Sequence, residues 1–270
     1  ARLRGMARPR LEHTPGATVT NAAATANDEN GYDQFSIAIP AASDGHTVLK
    51  SLRIVAISDT HGFHDSLVVP DGDVLIHCGD FAANRSPKGK HAALDQWIAD
   101  LPHERKIVVR GNHDQYSCNF PISRAKYAVR PELMQIDGLT FALSPYTGGG
   151  KKPAAVPCKG CDVLVSHYPP YGVLDVCYND KSAGSPGLKK AVERMNSAPH
   201  LWLFGHIHEA RGGSHVRFRK DKPPVKCAGD GPAATAGGTL CVNAANANDG
   251  PAKSVVRPAT VVDITYFGKR

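Results

Sequence analysis

The stretch "TVLKSLRIVAISDTHG", Thr47 to Gly62, decides the reading of the fold. Its apolar and β-branched residues predict a strand around Arg53–Ser58. The run then stops on Asp59-Thr60-His61-Gly62, a turn that carries a carboxylate and an imidazole. A buried strand that ends on metal-ligating residue types gains meaning only if the chain repeats it.

The chain does repeat it. "DVLIHCGD" ends on Gly79-Asp80 and "RKIVVRGNHD" on Gly111-Asn112-His113-Asp114. "CDVLVSHYPP" leads into His167, and "HLWLFGHIHE" into Gly205-His206-Ile207-His208. Between the second and third runs, "HAALDQWIADLP" places Leu94, Trp97, Ile98 and Leu101 on one helical face. A second helix is expected in "SPGLKKAVERMN", with Ser185 as N-cap and Pro186 at the first helical position. "LTFALS", "GTLCVNAA" and "PATVVDITYF" read as further strands. Strands alternating with helices define an α/β fold. Ligands in open α/β sheets bind outside the carboxyl ends of the strands, so these side chains would gather at one edge.

His206 and His208 alone are ambiguous. Positions i and i+2 of a strand share a face, so they could share a metal or be ordinary strand-end polar residues. The whole set is more specific. Imidazole nitrogen with carboxylate and amide oxygen, and no thiolate, suits Zn, Fe or Mn. Asp59, His61, Asp80, Asn112, His167, His206 and His208 exceed what one open site requires. With one shared carboxylate they would serve two ions, about 3.5–4 Å apart in two-metal sites. The glycines before Asp80, Asn112 and His206 fit tight turns and close backbone approach to an anion.

The ordered motifs "DTH", "GD", "GNHD", "SH" and "GHIH" resemble the calcineurin-like metallophosphoesterase superfamily, over roughly Leu52 to Phe267. The resemblance implies a four-layer α/β/β/α sandwich, with two central sheets and helices outside. It implies that Asp59, His61 and His208 hold the first ion, that Asp80 bridges, and that Asn112, His167 and His206 hold the second. His113 would face the phosphate and the leaving oxygen, with Asp114 orienting it or standing behind it. The implied reaction is phosphoester hydrolysis by metal-activated hydroxide, with two divalent or trivalent ions (Mn, Fe or Zn) as cofactors.

Within the superfamily, protein Ser/Thr phosphatases read GDxVDRG and GNHE, whereas this chain has "GDFAANR" and "GNHD". "SHYPPYGVLD", "AGSPGLKKAV" and "LWLFGHIHEARG" instead resemble the MPPED-like group, related to class III cyclic-nucleotide phosphodiesterases. That resemblance implies a phosphodiester substrate of nucleotide or nucleic-acid type. Tyr168 departs from the small residue often found there in relatives, and could narrow the pocket.

Several nearby residues read as structural. Cys78 fits a small core residue, His77 a satisfied buried histidine, and His64, Asp65 and Asp73 solvated loop positions. Seven cysteines, an odd number, cannot all pair within the chain, so reduced thiols are expected; the lone "CKGC" of Cys158 and Cys161 has no second pair to complete a structural zinc set.

The formal net charge of +7 favours acidic partners such as phosphorylated substrates, nucleic acid or anionic surfaces. No apolar run reaches the roughly 20 residues of a membrane span. Residues 1–50 read as a basic, poorly structured extension before a metallophosphoesterase domain over 51–270. Arg2, Arg4, Arg8 and Arg10 suit an organelle-targeting or nucleic-acid-binding arm, so an intracellular address is expected, the mitochondrion ahead of the cytosol. Residues 211–238 read as a loop insertion, with Arg217, Arg219, Lys220, Lys222 and Lys226 in its basic part. The alternative reading is a structural subunit of a larger, ribonucleoprotein-type assembly, which would bind RNA through the N-terminal arm and the 211–226 stretch.

Overall fold

A computed structural model of the chain describes residues 25–27, 31–40, 47–82, 91–148, 155–220, 222–227, 238–250 and 252–269. The arginine-rich start lies outside these residues. The first sheet runs, from one edge, β1 (Thr25–Asn27), β2 (Tyr32–Ala38), β14 (Thr260–Lys269), β3 (Thr47–Ile57), β4 (Val74–His77), β5 (Arg105–Val109) and β6 (Lys126–Ala128). The second runs β12 (Val225–Lys226), β11 (Gly212–Arg217), β13 (Thr239–Asn243), β10 (Leu201–Phe204), β9 (Val163–Ser166), β8 (Leu139–Ser144) and β7 (Glu132–Ile136). The central pairs β3–β4–β5 and β8–β9–β10–β13 are parallel.

Side-chain alternation sorts these strands into layers. Ile54 and Ala56 of β3 enter a core shared with Val163, Val165, Leu201 and Leu203 of β9 and β10, so the two sheets pack face to face. Val55 and Ile57 point the other way, onto Leu94 and Ile98 of helix α1 (His91–Asp100). Leu164, Trp202 and Phe204 leave the opposite face, onto Leu188 and Val192 of α2 (Pro186–Glu193). The order helix, sheet, sheet, helix is the four-layer α/β/β/α sandwich expected. It explains why "VLIH", "VLVS" and "LWLF" are buried at every position, since a central strand covered on both faces has no polar side.

Both helices form where the sequence places them. Ser185 Oγ accepts a hydrogen bond from Leu188 N at 3.2 Å, and Pro186 opens α2 where a missing N–H costs no helical bond.

Two boundaries differ from the sequence reading. Tyr32–Ala38 is a strand of the first sheet, parallel to β14, and Phe35, Ile37 and Ile39 join the central core. A division at residue 50 therefore cuts through this sheet. Its alternation of buried and exposed residues is short, and its partner β14 lies more than 200 residues away, so no local pattern betrays it. The 211–238 stretch is likewise not all loop: β11 pairs with β13, buries Ser214 and Val216, and carries β12 on its outer side. Residues 228–237 lie outside the described residues. Among the described residues no helix is long and apolar enough to cross a membrane.

At the carboxyl ends of the parallel strands the sheets are joined directly. Ser58 forms a bridge with Ala245, its N–H donates to Asn246 Oδ1 at 2.9 Å, and its carbonyl accepts from Asn246 N at 2.9 Å. This junction fixes the edge on which the candidate site stands.

Candidate metal centre

The side chains of interest sit on turns that follow the strands, and those turns are strained. Asp59, His61, Asp80 and His206 have φ of 56°, 44°, 56° and 71°, a left-handed region costly for residues with a Cβ. Neighbouring turns hold them there. Asp59 N donates to Gly79 O at 2.9 Å and His61 N to Asp80 O at 3.0 Å. His206 N donates to Asp59 Oδ2 at 2.9 Å, across the two sheets. Glycine is required where these turns touch. A Cβ at Gly205 would lie 2.0 Å from Ser58 Oγ and 2.2 Å from Asp59 Oδ2, and one at Gly111 would lie 2.2 Å from Asp80 Oδ1. The close approach is thus between one ligand side chain and the next turn, where the sequence reading expected an anion.

The turns bring together two trios, Asp59 with His61 and His208, and Asp80 with His167 and His206, the ligand atoms of each lying within 4.8 Å of one another. Asn112 joins the second, its Oδ1 2.9 Å from His167 Nε2. The seven side chains named from the sequence therefore lie at one edge, with Asp80 grouped with His167 and His206.

Hydrogen bonding decides which atoms face inward. His208 Nδ1 lies 3.0 Å from Asn248 O, His167 Nδ1 2.9 Å from Cys78 O, and His61 Nδ1 3.4 Å from Ala82 O. A carbonyl only accepts, so each Nδ1 is the donor and each ring turns its Nε2 to the centre. His61 Nε2 and His208 Nε2 then face each other at 3.4 Å. His167 Nε2 meets Asp80 Oδ2 at 3.4 Å. Asp59 Oδ1 is buried and receives no hydrogen bond among the described residues. Convergent ring nitrogens beside an orphaned buried carboxylate oxygen form a site that a cation would satisfy. The donor set, nitrogen and oxygen without sulfur, fits Zn, Fe or Mn.

The electrostatics agree. Burial alone would raise the pKa of Asp59, but the His208 ring, its Nε2 3.4 Å from Oδ1, and the other nearby imidazoles hold the carboxyl well below its usual range. Burial pushes Asp80 up too, and His167 more than reverses it. His167 is lowered by burial but raised more by Asp80, to about 9. His61 and His206 are pushed down to about 4 and about 3, chiefly by burial, and so keep neutral, ligating rings.

The other predicted residues take distinct places. The His113 N–H donates to Asp80 Oδ1 at 2.8 Å, and its ring stands edge-on to His61 with centroids 5.1 Å apart. With 23% of its side chain exposed, His113 lines the open side of the centre. Asp114 does not orient that ring. Its Oδ2 accepts from Asp80 N at 2.7 Å and Gly111 N at 2.8 Å, and its Oδ1 from Ala82 N at 3.0 Å. The buried carboxylate ties the Asp80 turn to the Asn112 turn, a positioning role where the sequence reading allowed a catalytic one.

His77 is structural as expected: Gly79 N donates to its Nδ1 at 3.1 Å, leaving Nε2–H for Thr60 Oγ1 at 3.0 Å. Cys78 is fully buried, and burial with the Asp59 charge raises its thiol pKa, which removes it as a nucleophile. All seven cysteines are free thiols. Tyr168 stacks on His206, ring centroids 3.8 Å apart, and on Tyr146 at 5.5 Å. No ring nitrogen of His206 is hydrogen-bonded among the described residues, so this face contact takes the place that carbonyls fill for the other three imidazoles. Two residues escaped the sequence reading. Asn248 supplies the carbonyl behind His208, and Lys253 Nζ reaches His113 Nε2 at 3.0 Å. Neither lies in a motif. A separate cavity of about 580 Å³, lined among others by Val173, Leu174, Val216 and Glu209, includes none of the seven ligands.

A sandwich with such a centre on its strand ends defines a metallophosphoesterase-type domain. The chain belongs to the calcineurin-like phosphoesterase family, whose sequence profile matches residues 52–210. It is 33% identical over 197 residues to a UPF0046 protein of Caenorhabditis elegans, covering 60% of this chain and 65% of that one. It is 30% identical over 203 residues to the human metallophosphoesterase domain-containing protein 1, covering 59% and 61%. The matches thus span less than two thirds of these relatives. A protein of unknown function from Aquifex aeolicus, of known crystal structure, is 19% identical with a TM-score of 0.36, covering 72% of this chain and 89% of that one.

Proposed function

We propose that this chain is a two-metal phosphoester hydrolase acting on a phosphodiester of nucleotide type. The observation that carries this reading is the pair of cross-sheet trios whose ring nitrogens and carboxylates converge at one edge. Asp59, His61 and His208 would hold one ion and Asn112, His167 and His206 the other, with Asp80 between them. Bound Mn, Fe or Zn would supply Lewis-acid charge at the phosphoryl oxygens and make water more acidic near neutral pH. The chain's own part is positional. The carbonyls behind His61, His167 and His208 fix the tautomers, Asp114 sets the spacing of two turns, and His113 presents its ring to the substrate oxygens from the open side. Preference for a diester rests on the sequence resemblance of "SHYPPYGVLD" and "LWLFGHIHEARG" to the MPPED-like group.

The test is hydrolysis of bis-p-nitrophenyl phosphate and p-nitrophenyl phosphate with Mn²⁺, comparing wild type with Asp80→Asn and His113→Ala. Diester hydrolysis that falls at least 100-fold in both variants is expected, in the range of losses known for positioned acid–base and metal-binding groups, about 10²–10⁴. A monoester preference would overturn the substrate class. No hydrolysis of either ester with manganese bound would overturn the enzyme reading and leave a metal-holding structural domain.

A further inference from the structure

We propose that Lys253 is an oxyanion-binding residue of this centre, contacting a phosphoryl oxygen of the substrate together with His113. The inference rests on the phosphoester reading above and adds a residue that no motif marks. Lys253 stands in "NDGPAKSVVRP", downstream of every motif in the ligand set.

Its placement is built rather than incidental. Ala247 bridges Val255, and Asn248 N donates to Ser254 O at 2.8 Å, closing a short loop around Lys253. Lys253 itself has φ of 52°, left-handed backbone in a residue with a long side chain. The same loop supplies Asn248 O to His208 Nδ1, and Arg257 ties it to the His208 turn by donating to His208 O at 2.9 Å and to Ala247 O. The lysine is therefore fixed relative to the first trio by the contacts that orient one of its ligands.

The ammonium has no carboxylate partner among the described residues. Its hydrogen bond is to a ring nitrogen, His113 Nε2, 3.0 Å away. An ammonium only donates, so this nitrogen is the acceptor. The half-buried ammonium thus has no counter-charge within ion-pair distance among the described residues. A phosphoryl oxygen supplies one through a charge-assisted hydrogen bond, and is a better acceptor than a neutral imidazole. The ligand class is a tetrahedral phosphoryl oxyanion, free phosphate included.

The experiment uses the full chain loaded with manganese, with Lys253→Met and Lys253→Arg beside wild type. Inorganic phosphate is titrated by calorimetry, bound manganese is counted by elemental analysis, and KM and kcat are measured on the diester. Loss of a hydrogen bond to a charged group predicts phosphate affinity about 10- to 100-fold weaker in the methionine variant. KM should rise in step, bound manganese should be unchanged, and arginine should restore part of the affinity. Phosphate affinity within twofold of wild type in Lys253→Met would overturn the proposal. So would loss of manganese from that variant, since the lysine would then be supporting ligands. If wild type hydrolyses neither ester, the function reading falls, and calorimetry alone still decides: phosphate held equally by both proteins, or by neither, refutes the role of Lys253.

Discussion

Asp114→Asn separates two accounts of the residue that follows the third motif. The carboxylate accepts three backbone N–H groups, from Asp80, Gly111 and Ala82, and is 2% exposed. Asparagine keeps the shape but only one accepting oxygen, so at least one buried N–H is left facing an amide NH₂. Each stranded donor costs about 1–3 kcal/mol, and the remaining bonds lose their charged partner. A total loss of about 2–4 kcal/mol follows, within the ordinary 5–15 kcal/mol of a folded domain, so the variant stays folded. With a urea slope of about 3 kcal/mol/M, the midpoint falls by about 1 M. Because Asp114 ties the Asp80 turn to the Asn112 turn, manganese affinity falls as well. Urea titration followed by circular dichroism, with a parallel metal titration, reads both effects. An unchanged urea midpoint and unchanged manganese affinity, with only kcat reduced, would refute this and return Asp114 to a partnership with His113.

Three further outcomes are expected. Gly205→Ala forces a Cβ against Ser58 Oγ and Asp59 Oδ2, so thermal stability should drop by about 1–3 kcal/mol with weaker binding of the first ion; a neutral substitution would mean this turn is more yielding than its contacts suggest. Tyr168→Ala removes the ring against His206 and should weaken the second ion about 10- to 100-fold in a calorimetric titration, whereas affinity unchanged from wild type would show that the contact is only packing. Asp263 is pushed up by burial and held lower by Arg53 and Gln34. A depressed carboxyl stabilises the fold above its unfolded pKa and ceases to do so as pH falls through the folded value. The pair is about one-third exposed, so Asp263→Asn should cost less than about 1 kcal/mol at pH 7 and nothing near pH 2; an undiminished cost there would point to packing instead.

The parts of the fold that could be read from sequence are those with a local signature. The central parallel strands are runs of apolar residues, α2 carries its own cap and proline, and the candidate ligands stand just after each run. β7 had a signal that went unread. Asp137 and Gly138, with φ of 51° and 93°, form the two-residue turn between Ile136 and Leu139 that an Asp-Gly pair between alternating strands announces. β2 and β11 had none, since each is an outer strand whose pattern makes sense only beside a distant partner. The site divides in the same way. The candidate ligands are chemically rare residue types that stand out by their order in the chain. What holds them are backbone carbonyls, aromatic faces and a lysine from a loop, and these become legible only when the chain is folded.

Each trio draws on both sheets, and this has a consequence for what the central core does. Asp59 and His61 follow β3 of the first sheet while His208 follows β10 of the second; Asp80 follows β4 while His167 and His206 follow β9 and β10. No single sheet can hold either trio, so the spacing of ligand atoms depends on how Ile54 and Ala56 seat against Val165 and Leu203. Interiors packed at crystal density transmit such shifts rather than absorb them. The Ser58–Asn246 bonds and the His206 N–H bond to Asp59 clamp the two sheets at the one edge where a displacement would separate the ligands. The left-handed turns lie on the same edge, and strain at Asp59, His61, Asp80 and His206 persists only where its surroundings over-determine it. Packing between the sheets and strain at their ends are thus two parts of one device: the core sets the distance, and the clamped turns spend it on aiming seven side chains inward.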